Sequence, residues 1–395
     1  MKLFLFTLES VASMISDPFF IGMLILMGII LFFNNKKLTI MQKMIMGDSL
    51  NSALELTLSQ MVLGIVAGAG ASLILSYLGI VFNKNIGIVI LILFSISLIC
   101  TRNRFLGISY TASILGAASL IFGDVIELNI GLLFTFVGVI TIVNAVLVIF
   151  DGYKGALPIF SNKDGIIKGG YVFGRCWPLS IVFFMAYQSI TNGNAFAQNV
   201  DTPSWWPILN NSVNMNLIEN MTLIMFPIFC VVGYSSITFR MTKKEKSASS
   251  GIMMIINGIL TIAIAQLDYL GLPGRIIIIL SIPIINELLY RIDIHMEYKG
   301  KGIFVSDENG IAVLDVIPDL AAYNAGINPG DKIVSINNEK IHTDKEIYSL
   351  LRDNVGILKI GIIDRAENKK ELIYNCQEED SLGMILVPKE INIKL

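Results

Sequence analysis

Catalytic chemistry needs particular side chains at fixed spacings, and this chain is poor in them. It has 2 histidines, His295 and His342. Neither opens the H-E-x-x-H helix that would hold two imidazoles and a glutamate base around zinc. A serine nucleophile also needs an imidazole within reach, and both histidines lie outside the long apolar segments. No glycine-rich phosphate loop is present, and lysines are missing from the centres of the apolar segments, which leaves Ser-Lys chemistry little to work with. Cys100, Cys176, Cys230 and Cys376 are far apart, without metal or redox spacing, and three of them lie in or beside apolar runs where thiols pack as small hydrophobes. The expectation is a chain without catalytic residues, metal or cofactor. Polar residues inside the apolar segments are few: Asn144, Gln188, Asn257, Gln266, Asp268 and Glu287. Asp268 and Glu287 fall near segment ends, where water or headgroups reach them, so a transport route has little support.

The elements around these residues read as membrane-embedded. Of 395 residues, 54% are apolar and 15% charged, with mean hydropathy +0.69, which is too apolar for a soluble enzyme of this length. Apolar segments occur at 18–33, 57–82, 85–100, 105–122, 130–150, 176–190, 217–234, 251–268 and 274–290. Set against the roughly 17–25 residues that a spanning helix needs, they predict a polytopic α-helical membrane bundle of eight or nine spans. The opening "MKLFLFTLESVASM" is interrupted by Glu9 and lacks a small-residue cleavage site, so it reads as a retained interfacial helix.

Basic residues set the orientation. Lys36, Lys37, Lys43, Arg102, Arg104, Lys154, Lys163, Lys168, Arg175, Arg240, Lys243, Lys244, Lys246, Arg291 and Lys299 fall in alternate loops, against Lys2, Lys84 and Arg275 on the other side. By the positive-inside bias the C-terminus faces the cytoplasm, and Trp205 and Trp206 suit the opposite interface. Small residues at helical spacing, Gly64 and Gly68 and the "GAAS" at 116–119, allow close backbone approach. Packing within one bundle and self-association as a homodimer both remain open on this pattern.

Beyond about residue 292 charges become dense and turn signals punctuate short Val/Ile-rich runs. The domains are therefore 1–292, the bundle, and 293–395, a small α/β unit. Residues 300–395 carry 11 basic and 16 acidic residues. An acidic unit beneath an anionic leaflet is repelled by lipid and nucleic acid, which favours protein partners. Its order reads as two strands around a turn at Asp307 to Gly310, a short helix closed by Gly326, and a strand, Asn337–Asn338 turn and strand stub. A helix follows, with a Thr343/Glu346 capping box and an apolar stripe of Ile347, Leu350 and Leu351, and then three more strands.

This order, with "VIPDLAAYNAGINPGDKIVSINNEKI", resembles a bacterial PDZ domain: Pro318, Ala321, Ala322, Ala325, Gly326, Gly330, Asp331 and Ile336 fit the family pattern. The resemblance implies a groove between one strand and one helix that takes a partner's C-terminus as an added strand. The family's carboxylate loop is best matched by Leu382, Gly383 and Met384, with Gly300 to Ile303 as a competing loop. Met384, Ile385 and the residues to Val387 would form the augmenting strand, and Ile347 and Leu351 of the helix the opposite wall. The loop lies at the C-terminal end of the unit, as in permuted bacterial versions.

A multi-span bundle followed by one C-terminal domain of this kind resembles the MinJ-type topological determinants of cell division in Gram-positive bacteria. That resemblance implies a membrane scaffold linking a polar coiled-coil protein to the division-inhibitor ATPase. A transporter or degenerate intramembrane protease regulated by the PDZ unit is the alternative.

Overall fold

The computed structural model describes residues 2–47, 50–83, 107–123, 128–163, 166–187, 205–209, 222–299, 302–353, 356–376 and 383–389. Nine helices and ten strands are named among them. The first helix, α1 (Lys2–Ser16), buries Leu3, Thr7, Val11 and Met14, a single stripe at helical spacing. Helix α2 (Pro18–Met46) starts where Asp17 accepts from the amides of Phe19 and Phe20, and stops at Gly47 with φ 81°. Helix α3 (Ala53–Leu78) is capped by Ser52 and closed by Gly79 at φ 73°. After strand β1 (Val81–Asn83) come α4 (Ile108–Ile121) and α5 (Ile130–Asp151). Strands β2 (Leu157–Lys163), β3 (Ile166–Tyr187) and β4 (Thr222–Thr238) follow. Then come α6 (Lys243–Ala265), opened by a full Thr242/Glu245 capping box and extended by a 3₁₀ turn over Gln266–Leu270, and α7 (Leu272–Lys299).

Five helices among the described residues are long and apolar enough to cross a membrane: Pro18–Ile45, Ala53–Leu78, Ile130–Asp151, Lys243–Leu270 and Leu272–Glu297. These fit a helical membrane bundle and account for five of the expected spans. Helix α4 has 14 residues; at ~1.5 Å per residue it reaches about 21 Å, short of the ~30 Å hydrocarbon core. The segment 85–100 lies outside the described residues, as do Gln188 and Cys100.

The expected spans 176–190 and 217–234 are corrected: over their described residues they are strands. β3 and β4 pair antiparallel from Tyr171↔Thr238 to Tyr187↔Thr222. A buried strand and a buried helix both present continuous apolar runs, so periodicity cannot separate them. The two prolines fit this hairpin. The Val182 amide donates to Ser72 Oγ at 2.8 Å, so alternate residues of β3 turn their main chain away from β4. Pro178 shares that side, and Pro227 faces Val182 across the same kind of pair, so neither removes a ladder bond.

Helix α3 covers this edge of β3. A Cβ on Gly64 would lie 2.1 Å from Pro178 O, and one on Gly68 would lie 2.4 Å from Ser180 O. Gly64 and Gly68 do serve close approach, but to a strand, whereas Gly116 of the 116–119 pattern meets Ile279 of α7. Helix against helix, a close seam joins α5 and α6, where Gly131, Gly138 and Ala145 meet Gly251, Gly258 and Ala265 at a seven-residue repeat. A Cβ on Gly138 would lie 2.5 Å from Ile262 Cγ1 and 3.0 Å from Gly258 O.

Charge is buried here in paired form. Asp151, fully buried, takes Arg175 as an ion-pair partner, Ser59 at 2.7 Å, Trp177 Nε1 at 2.9 Å and Lys154 at 3.1 Å. Arg175, expected in a loop, is 3% exposed on β3. Lys246 meets Asp293 at 2.7 Å and Glu297 at 3.0 Å. The intramembrane polar residues are likewise engaged: Asn144 donates to Gly233 O, Asn257 to Asn286, and Asp268 pairs with Arg275.

Candidate functional site

The C-terminal unit is built around strands β5 (Ile311–Val316), β6 (Lys332–Ile336), β7 (Glu339–Lys340), β8 (Gly356–Ile363), β9 (Lys369–Cys376) and β10 (Met384–Leu386), with α8 (Ala321–Asn324) and α9 (Asp344–Asp353). The sheet order is β10-β5-β6-β8-β9, with β7 on β6. Local chemistry places each turn. Asn337 and Asn338 take φ 50° and 69° between β6 and β7, and Gly326 takes 87° after α8. Asp331 Oδ2 accepts from the Asn328 amide at 2.9 Å, fixing the loop before β6. At the start of α9, Thr343 Oγ1 accepts from the Glu346 amide, while the Glu346 carboxylate takes the His342 amide at 2.8 Å. The β8–β9 turn closes on Asp364, whose carboxylate accepts from the amides of Ala366 and Asn368. The bond from Lys370, first, and then that from the Asn368 amide hold its pKa down to about 2.

The candidate groove lies along β10. The Ile317 amide donates to Gly383 O at 2.7 Å, and the Val387 amide donates to Ala312 O at 2.9 Å. Residues 383, 385 and 387 therefore spend their main chain on β5, and antiparallel alternation turns the N–H and C=O of Met384 and Leu386 to the open edge. Gly383 bends the chain into this strand at φ 64°, and a Cβ there would lie 2.6 Å from Leu320 Cβ. Backbone conformation and space both call for glycine.

Site residues expected from the sequence divide on this geometry. Met384 sits on the open edge with Gly383 beside it. Ile385 does not, because its main chain pairs with Asp315 and its side chain turns out of the domain core. Ile347 is fully buried in that core with Ile336 and Leu386, so the groove side of α9 belongs instead to its other face. There Tyr348 is 38% exposed, and its hydroxyl takes a hydrogen bond from the Leu386 amide. Burial, and behind it the Asp344 carboxylate, raise the phenol above its ordinary range. Leu382 and the side chain of Leu351 lie outside the described residues. Sequence spacing did not single out Tyr348, which lies three residues before Leu351 and about 100° round the helix from Ile347.

A family model for PDZ domains matches residues 313–359. Residues 313–359 are a PDZ domain. The matched part of this PDZ domain runs from β5 into β8 and includes α9, whereas β10 lies beyond it, so the groove strand rests on its hydrogen-bond pattern. Comparison with curated proteins and with solved structures gives no match. A PDZ domain behind several helices able to cross a membrane indicates a membrane protein that engages other proteins.

A second set of contacts joins the PDZ domain to the hairpin. The Gly169 amide donates to Phe304 O at 2.9 Å, and Tyr171 donates its hydroxyl proton to Leu314 O. Lys243, at the start of α6, lies 2.5 Å from Asp315 and 5.2 Å from the centre of the Tyr171 ring. Burial raises the Asp315 carboxyl above its usual range, and Lys243 and the Val316 amide pull it only part of the way back. Arg365 reaches Glu245 at 3.0 Å. Nothing local in the sequence marks this seam, because Lys243 and Asp315 come from different elements and meet only in the fold.

Proposed function

We propose that the protein is a non-enzymatic membrane adaptor whose PDZ groove, on the cytoplasmic side, recruits partner proteins and holds them at the bilayer. The observation that carries this reading is the outer edge of β10 just after the bend at Gly383, where Met384 directs its N–H and C=O outward and Leu386 its C=O, the Leu386 N–H being held by Tyr348. Such an edge accepts an extended chain end by strand addition, with main-chain bonds giving affinity and side chains giving selectivity. Confinement to two dimensions raises the effective concentration of weak partners, so location is the output. From the resemblance of the sequence to MinJ-type proteins we extend the proposal to division-site placement, with a polar coiled-coil protein and the division-inhibitor ATPase as the partners that resemblance implies.

The test uses the full chain in lipid nanodiscs with a fluorescent pool of random hexapeptides bearing a free C-terminal carboxylate, beside the same pool amidated. The free-carboxylate pool should bind and the amidated pool should not. Gly383→Glu should abolish binding. Hydrogen exchange in β6 and β8 of Gly383→Glu, which should match wild type, separates loss of the groove from loss of the fold. Binding of the amidated pool at equal strength would refute the groove. In cells, Gly383→Glu should mislocalise division proteins while the chain still reaches the membrane; unchanged localisation removes the division role.

A further inference from the structure

Strand β10 belongs to two interfaces at once. Met384 and Leu386 place their side chains in the PDZ core, whereas Ile385 and Val387 belong to the core shared with the hairpin and α5. Val387 is fully buried there, and a Cβ on Gly169 would come within 2.9 Å of Val387 Cγ2, 3.0 Å of Leu314 Cδ1 and 3.2 Å of Phe304 Cβ. The pairing partner of Ile385 is Asp315, the residue that Lys243 holds. With three residues, a single strand neighbour and a register shift between Ile385 and Leu386, β10 has little pairing of its own to keep it extended.

We propose that docking against the hairpin sets the affinity of the groove: the seam holds β10 in its peptide-accepting form, and a bound peptide in turn strengthens the seam. This rests on the groove reading above. A strand that is binding-competent only part of the time loses affinity in proportion to that fraction, so opening the seam weakens peptide binding. By linkage the peptide closes the seam by the same factor. The membrane unit thereby acts on recruitment through Gly169, Tyr171 and Lys243 rather than as a passive anchor.

The experiment compares the wild-type full chain in nanodiscs with Gly169→Leu, which wedges the seam, Lys243→Met, which unpairs Asp315, and Gly174→Leu on the same strand, where nothing lies within 4 Å of the added Cβ. Two quantities are read: affinity for the free-carboxylate hexapeptide pool, and hydrogen exchange at Met384 to Val387, with β6 and β8 as the check on the PDZ core. In Gly169→Leu and Lys243→Met, affinity should fall on the order of tenfold and β10 exchange should accelerate. Gly174→Leu should match wild type, and saturating peptide should slow exchange at Gly169 and Tyr171. Wild-type affinity in both seam variants overturns the coupling, as does unchanged β10 exchange. If the wild type binds neither pool, the groove reading fails instead, while the exchange comparison still reports on the seam without ligand.

Discussion

Arg175→Met removes the guanidinium from a carboxylate that has no access to water. Asp151 is fully buried, and the Arg175 side chain is 1% exposed. Removing one member of a buried pair costs about 3–5 kcal/mol, because the other is left uncompensated. Here Asp151 keeps Ser59, Trp177 and Lys154, but Lys154 is 31% exposed, so it restores only part of the countercharge. The expected loss is therefore about 3 kcal/mol, the lower edge of that range, or roughly 4 °C in unfolding midpoint for a chain of 395 residues. Thermal unfolding of purified protein, read by size-exclusion recovery, measures it. The double variant Asp151→Asn/Arg175→Met carries no stranded charge and should recover at least about 1 kcal/mol of the loss. An Arg175→Met protein within about 0.5 kcal/mol of wild type, or a double variant no better than the single, would refute the argument.

Gly138→Leu should split the α5–α6 seam and abolish a monodisperse peak in detergent, whereas Gly22→Leu, with nothing within 4 Å, should leave it unchanged. Tyr348→Phe frees the Leu386 amide; a hydrogen bond nets about 0.5–1.5 kcal/mol, so affinity for the free-carboxylate hexapeptide pool should rise by about twofold to tenfold. Asp364 ionises in the fold at about 2 against its ordinary 3.8. Its depressed value stabilises the β8–β9 turn above the ordinary value, and that contribution is lost as pH falls through about 2. Selectively labelled amides of Ala366 and Asn368 should titrate near the lower value; a midpoint near 3.8 would contradict the turn geometry.

What could be read in advance depended on whether the determining contacts were local. The Asn337–Asn338 turn, the Thr343/Glu346 box and the helix stop at Gly326 are set by neighbours within four residues, so their chemistry shows in the order of residues. The β3–β4 hairpin resembles two spans because its faces are both covered, and only Pro178 and Pro227 hint otherwise. The repeat at Gly131, Gly138 and Ala145 was visible but becomes informative only beside Gly251, Gly258 and Ala265. In the groove, Ile347 and Tyr348 are adjacent in sequence and point about 100° apart round the helix, one into the core and one to its margin. Assigning them requires knowing which side of α9 meets the sheet.

Strand β3 has a geometric consequence. It is unbroken over 22 residues, and at ~3.3 Å per residue it extends about 70 Å. One end lies beside β1 and the other supports Phe304, just ahead of the PDZ domain. A continuous extended segment, stiffened along most of its length by β4, works as a ruler: it fixes the standoff between the far end of the helical body and the recruiting surface, so that tilting one must swing the other.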